Sequence, residues 1–291
     1  MSDAHDPPLF APWTIDHELV TLAVRGMRSR PALPVAQAFA KNIGDIAAIL
    51  DLPLHLAGLQ ALEKHVLLSV TQGQLARVRS DPGAPPPSMD DFKRDVRRLH
   101  QTEFERFKAQ PATQAAYRQE ARRQLNQLGA RHEQLYPQLR SLFSTAIVSA
   151  WTAFECAAGD TWAVALNAQA GRFAKAGFDT ETLLAALTRH SSVAGLEGIA
   201  QAYALFENSL ELSVALASPD LHELHATRNV LVHYNGVINK RFKEKVETAA
   251  QAGDQVPLDG AGAARLVNAA IMGGCAIIQF VDDWLVRHAS A

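Results

Sequence analysis

Arg228, Asn229 and His233 are the residues of this chain whose types and spacing best suit chemistry. They stand in the string Arg228-Asn229-Val230-Leu231-Val232-His233-Tyr234-Asn235-Gly236. On a helix Asn229 and His233 are i, i+4 and share one face, with His225 one turn earlier. Arg228 is five residues before His233, about 140° away around an ideal helix. The two converge only if His233 sits where the helix ends at Gly236, or if two copies of the helix face each other. An imidazole takes and returns a proton near neutrality. A guanidinium offers paired donors to a phosphate that is gaining charge, and Asn229 can fix the imidazole tautomer or contact the phosphate. That kit suits RNA cleavage, because the ribose 2′-OH is an internal nucleophile that needs a base. It requires no metal and no cofactor.

Each of these residues also has a plainer reading. Arg228 and His233 can be exposed cations near a helix C-terminus, where positive charge is favoured. His225 is either a third member of the site or a satisfied core or surface histidine. In His222-Glu223-Leu224-His225 the histidines are i, i+3, whereas a zincin helix needs i, i+4, so no metal site is expected. Lys240, Arg241, Lys243 and Lys245 form a basic run around Phe242 just after the motif. It is either a solvated face or a hold for RNA backbone. Arg94, Arg97, Arg98, Arg118, Arg122 and Arg123 are interleaved with acidic residues, the pattern of i, i+4 pairs along helices. Trp151, Phe154 and Trp162 read as core.

The elements that must position the motif are helical. Ser218-Pro219-Asp220 supplies an N-cap, a proline at the first position and an acid in the first turn, and Asn235-Gly236 closes the helix near Tyr234. A stripe of Leu139, Leu142, Phe143, Ile147, Ala150, Phe154, Ala157 and Ala158 predicts a long core-facing helix from Pro137. Further helices are expected over 196–212, over 240–250, and from a cap at Asp259 to His288, the last with small faces at Ala269/Gly273 and Ala270/Gly274. Asp179 and Thr180 would cap a short helix carrying Leu183, Leu184 and Leu187. Upstream, Thr14 would cap a helix over 15–29. A second helix should run to Leu50 and end at Pro53, and a third from Leu56 to Arg79. Ser88 with Asp91 resembles a capping box, and Pro111 should break the charged segment that follows. Three consecutive prolines at 85–87 mark a linker. The organisation expected is an N-terminal helical region (1–80), a linker (81–88), charged connecting helices (89–130) and a helical bundle (131–291), all-α throughout.

Composition agrees with a globular helical chain, at 48% hydrophobic and 20% charged residues among 291. With 28 basic and 30 acidic side chains the net charge is -2, so any polyanion site must be a local patch. Cys156 and Cys275 are too few for a disulfide framework and read as buried thiols of a reducing compartment. The first ten residues contain neither a basic n-region nor an apolar h-region, so no secretory signal is expected. The apolar stretch Leu266 to Val281 is shorter than the roughly 20 residues of a span, so a core helix, no membrane and a cytoplasmic location are expected.

Arg-Asn, three residues, then His near a helix end followed by Asn-Gly resembles the signature of the HEPN superfamily. Ser149-Ala150-Trp151-Thr152-Ala153-Phe154-Glu155 resembles the long first helix of HEPN proteins of the RiboL-PSP and related groups, where an aromatic precedes a glutamate. Gly253-Asp254-Gln255-Val256-Pro257-Leu258, leading into a final helix, is similar as well. The resemblance covers residues 131–291. It implies an antiparallel helical bundle that usually dimerises, and a metal-independent endoribonuclease acting as a toxin or antiviral effector, with an antitoxin or regulatory protein as partner. Arg228, Asn229, His233 and Glu155 carry over as site residues. In one branch, paired with nucleotidyltransferase antitoxins, a tyrosine stands two positions after the histidine. Here Tyr234 follows His233 directly. The other reading of the same fold is a non-catalytic module that binds a protein or nucleotide partner.

Overall fold

The computed structural model describes residues 9–80, 87–131, 135–175 and 195–289. Among these the chain is all-α, and its one extended pairing is an isolated bridge between Val237 and Gln255. Ten helices follow one another: α1 (His17–Gly26), α2 (Leu33–Ser80), α3 (Met89–Lys108), α4 (Pro111–Arg131), α5 (Leu135–Lys175), α6 (Gly195–Ala204), α7 (Leu210–Leu216), α8 (Pro219–His233), α9 (Lys240–Lys245) and α10 (Gly260–Ala289). The expected short helix at Leu183 to Leu187 lies outside the described residues.

Two compact units are present, Met1–Leu50 with Pro137–Ala291, and Asp51–Tyr136. Neither boundary falls at the linker expected over 81–88, of which 81–86 lie outside the described residues. The first 50 residues join the C-terminal half because α10 holds them through polar anchors. Asn268 accepts from the Asp16 amide (2.9 Å) and donates to the Thr14 carbonyl (2.9 Å). Buried Asp282 accepts from the amides of Arg28 (3.0 Å) and Ser29 (2.7 Å). Burial alone would raise the Asp282 carboxyl, but those two amides and the Arg28 guanidinium outweigh it and hold it below the usual carboxylate range.

In this unit α10 packs on α8, α7 and α1. Its small faces at Gly273 and Gly274 receive aromatic rings. A Cβ on Gly273 would stand 2.9 Å from the Phe154 ring, and one on Gly274 would enter the Phe39 ring. Phe143, Ala146, Ile147, Ala150, Phe154 and Ala158 of α5 are fully buried. Burying each large apolar side chain contributes about 1.5–3 kcal/mol. Three helices are long and apolar enough to cross a membrane by length and composition: Leu33–Ser80, Tyr136–Ala170 and Gly260–His288. The last exceeds the apolar stretch measured in the sequence, and 72% of its most apolar window is buried.

Within Asp51–Tyr136, α3 packs on α4. A Cβ on Gly58 would stand 3.5 Å from the Tyr117 carbonyl oxygen, and Arg118 pairs with Asp51 at 2.5 Å. The charged pairs of α3 and α4 form, but at i, i+3 (Arg94–Asp91, Arg98–Asp95, Arg123–Glu120) rather than i, i+4.

Several local expectations are corrected. Asp16, not Thr14, caps α1, accepting from the Leu19 amide. Pro53 does not end a helix; it sits inside α2. A proline there forfeits one backbone bond, while Leu50 and Leu54 on either side are buried and offset it. The helix expected over 196–212 is two, α6 and α7, separated at 205–209. Cys156 is exposed, because it follows Glu155 on the outer side of α5. Cys275 is buried, and burial pushes its thiol up to about 12. Ser88 does cap α3, accepting from the Asp91 amide.

Candidate functional site

Helix α8 carries the motif, and both its ends are fixed. At the start, Pro219 and Asp220 occupy the first turn as expected, but the Ser218 hydroxyl makes no capping hydrogen bond. Arg265 of α10 instead ties down Asp220 and Glu223. At the end, the amides of Tyr234 (3.0 Å) and Gly236 (2.8 Å) both donate to the Val230 carbonyl. That turn needs left-handed backbone, which Asn235 (φ 52) and Gly236 (φ 75) supply. Gly236 is also required for space. A Cβ there would lie 2.8 Å from Arg140 Nη2 and 3.0 Å from Gln255 Oε1.

His233 is therefore the last residue of α8. Arg228 Nη1 donates to Asn229 Oδ1 at 3.1 Å and lies 3.4 Å from His233 Nε2. A guanidinium only donates, so a hydrogen bond at this contact needs Nε2 as its acceptor. Arg228 and Asn229 are half-buried and His233 is exposed. Among the described residues nothing hydrogen-bonds the buried Arg228 Nε. The three motif residues thus meet within one chain. Of the two routes open in the sequence, the helix end brings them together, and a second copy is not needed for it.

His225 stacks on buried Trp151, with centroids 4.5 Å apart and planes at 20°. Burial is the main reason its imidazole titrates below the usual value. Lys245, Arg228 and His222 add to the effect, and Glu155 opposes it. Glu155 is half-buried, and its Oε1 accepts from the Gly195 amide at 3.2 Å. A carboxylate there complements the N-terminus of α6. Glu155 has no hydrogen bond or ion pair with Arg228 or His233, so it borders His225 rather than the Arg228–His233 contact.

The basic run divides. Lys240 and Arg241 are exposed. Lys243 donates to the carbonyls of Thr248 (3.0 Å) and Ala250 (2.7 Å), so two of its three N–H groups hold the loop after α9. Among the described residues no three His, Cys, Asp or Glu side chains cluster as a metal site.

Compared with family models, with curated proteins and with solved structures, the chain matches none.

The sequence reading missed Arg140. Its guanidinium lies over Gly236 and donates to the Val256 carbonyl (2.8 Å) and Gln255 Oε1 (2.6 Å). Nothing in the local sequence singles out this arginine, because its partners are 115 and 116 residues away. One signal was available: Ser141, Ser144, Thr145 and Ser149 recur at helical spacing along the otherwise apolar α5.

Proposed function

We propose that this chain is a metal-independent endoribonuclease of the HEPN kind. The observation that carries the reading is the contact of Arg228 with His233 and Asn229 at the end of α8. In the proposed reaction the Arg228 guanidinium turns from His233 to the phosphate, which frees the Nε2 lone pair to take the proton of a ribose 2′-OH, and O2′ bonds to phosphorus. The P–O5′ bond breaks, and the imidazolium returns the proton to the leaving O5′. The products are a 2′,3′-cyclic phosphate and a 5′-OH. Arg228 donates to the non-bridging oxygens as charge builds on them, and Asn229 holds the guanidinium. Glu155 acts one step back, on the His225 side. Lys240 and Arg241, with the remaining N–H of Lys243, would contact flanking phosphates. As a toxin or antiviral effector such an enzyme would be held in check by an antitoxin or regulatory protein. A homodimer through α8 belongs to the same proposal, supported by exposed Val232 and Tyr234.

The test is incubation of the purified chain with total RNA in EDTA, with His233→Ala as control. Cleavage that survives chelation and disappears in the variant is the expected result. Activity lost in EDTA and restored by a divalent ion would sink the mechanism.

A second reading is a non-catalytic interaction module. Helix α7 favours it, since Leu210 (80% exposed) and Val214 (64%) stand one turn apart on its outer side. Unchanged behaviour of His233→Ala, with partner capture lost in Leu210→Glu, would select this reading.

A further inference from the structure

We propose that the groove between α5 and the end of α8 takes the sugar–phosphate backbone of a single RNA strand, with Arg140 as its anchoring cation. This inference rests on reading the end of α8 as an RNA-cleaving site, and it names where the strand beside the scissile phosphate lies.

The groove encloses about 450 Å³. Arg140, Ser141, Ser144, Thr145 and Ser149 line it from α5, and Asn235 from the end of α8. One side of α5 buries Phe143, Ala146, Ile147 and Ala150. The groove side carries hydroxyls at successive turns instead, so α5 is amphipathic in an unusual sense, apolar on one face and neutral polar on the other. Among the described residues no aspartate or glutamate lines the groove. The larger cavity between α1, α7 and α10, about 600 Å³, contains Glu207, Glu211, Asp282 and Asp283. Arg28 and Arg287 line it too, but they are paired with these carboxylates, and four acids against two cations leave it net negative and unsuited to a polyanion.

Arg140 differs from other arginines of the same unit in what holds it. Arg28, Arg265 and Arg287 each pair with carboxylates. Arg140 is fixed by a carbonyl and a carboxamide oxygen, and among the described residues no carboxylate pairs with it. Its charge is uncompensated and its planar fork is already oriented, which lowers the cost of ordering it on a phosphate. Gly236 places this guanidinium on the turn three residues after His233. Arg228 is held in the same way, by Asn229 Oδ1 and His233. Arg140 thus lies over Gly236, and Arg228 lies against His233 three residues earlier, so one strand that meets Arg228 at its scissile phosphate can meet Arg140 with a neighbouring part of its backbone.

The hydroxyls add a preference for RNA. Ser144 Oγ donates to the Arg140 carbonyl (2.8 Å) and Thr145 Oγ1 to the Ser141 carbonyl (2.9 Å). With their protons turned into the helix, both oxygens present lone pairs to the groove. A ribose 2′-OH can donate to them and deoxyribose cannot.

The test uses His233→Ala chain, so that RNA stays intact, and fluorescein-labelled single-stranded RNA and DNA of the same mixed sequence. Binding is read by anisotropy over a range of salt. RNA should bind more tightly than DNA. Adding Arg140→Ala should weaken RNA binding about tenfold and lower the salt slope by about one. Thr145→Glu, an exposed change on a helix surface, should weaken it comparably without touching Arg140 or the fold. Unchanged affinity and salt slope in both variants would overturn the inference even if the wild type cleaves RNA, leaving the cleavage reading intact. Weakened binding in both, from a wild type that never cleaves RNA, would keep the groove and remove the cleavage reading.

Discussion

Arg228 Nη1 lies 3.4 Å from His233 Nε2 although the two residues are five positions apart on one helix. On a continuing helix they would diverge. They meet because α8 ends at His233, so the long arginine side chain reaches a residue at the last turn. Asn229 Oδ1 holds the same Nη1 from the other side.

The arginine and histidine of one cleft come from one chain. Arg228→Ala and His233→Ala should each be inactive, and a mixture of the two should stay inactive even where mixed dimers form. Native mass spectrometry can verify the mixed species while cleavage is assayed. Recovered activity would mean that each cleft draws its two groups from different chains.

Arg228→Lys should fail nearly as badly as Arg228→Ala, each losing about 100-fold or more in kcat/KM. Lysine keeps the charge, but it loses the planar fork that meets Asn229 and His233 while leaving donors for a phosphate. A near-wild-type rate for the lysine variant would reduce Arg228 to a point charge.

His225 ties stability to pH. Its folded value is lowered, mainly by burial against Trp151, so the unfolded chain binds the proton more readily. Stability should therefore be unaffected by this group well above about pH 6.5 and fall as pH drops from there toward the lowered folded value. Charges facing the ring are Lys245, Glu155, Arg228 and His222. His225→Phe keeps the stack and removes the titration. Melting curves of the variant should decline less on acidification than those of wild type. Parallel curves would show that His225 does not contribute.

Gly236→Ala should destabilise by about 1–2 kcal/mol from left-handed strain alone. Displacement of Arg140 and Gln255 from the space a methyl would need adds to this. Gly26→Ala, where nothing lies within 4 Å of the new methyl, serves as the control and should be neutral or slightly stabilising. Urea denaturation of both compares them. Equal midpoints would mean that the end of α8 is not held as described.

The sequence by itself determined the helical class and most helix identities. Spacing of apolar residues over 143–158, the caps at Ser88 and Asp259, the break at Pro111 and the Asn235-Gly236 terminator are all local signals, each acting within one or two turns. It also marked Arg228, Asn229 and His233, because a motif within six residues is visible without a fold. Only the tertiary structure decided the rest. Pro53 lies inside α2 because buried neighbours outweigh one lost backbone bond. Residues before 51 join the C-terminal half because Asn268 and Asp282, more than 250 residues away, satisfy their backbone groups. Arg140 reaches the motif because Gly236, Gln255 and Val256 converge on it from over 90 residues along the chain. The physical reason is common to all three. Helix formation and termination are governed by neighbours within about four residues, so they can be read in order along the chain. Satisfying a polar group or seating a guanidinium depends on which distant atoms arrive beside it, and that is settled only when the helices pack.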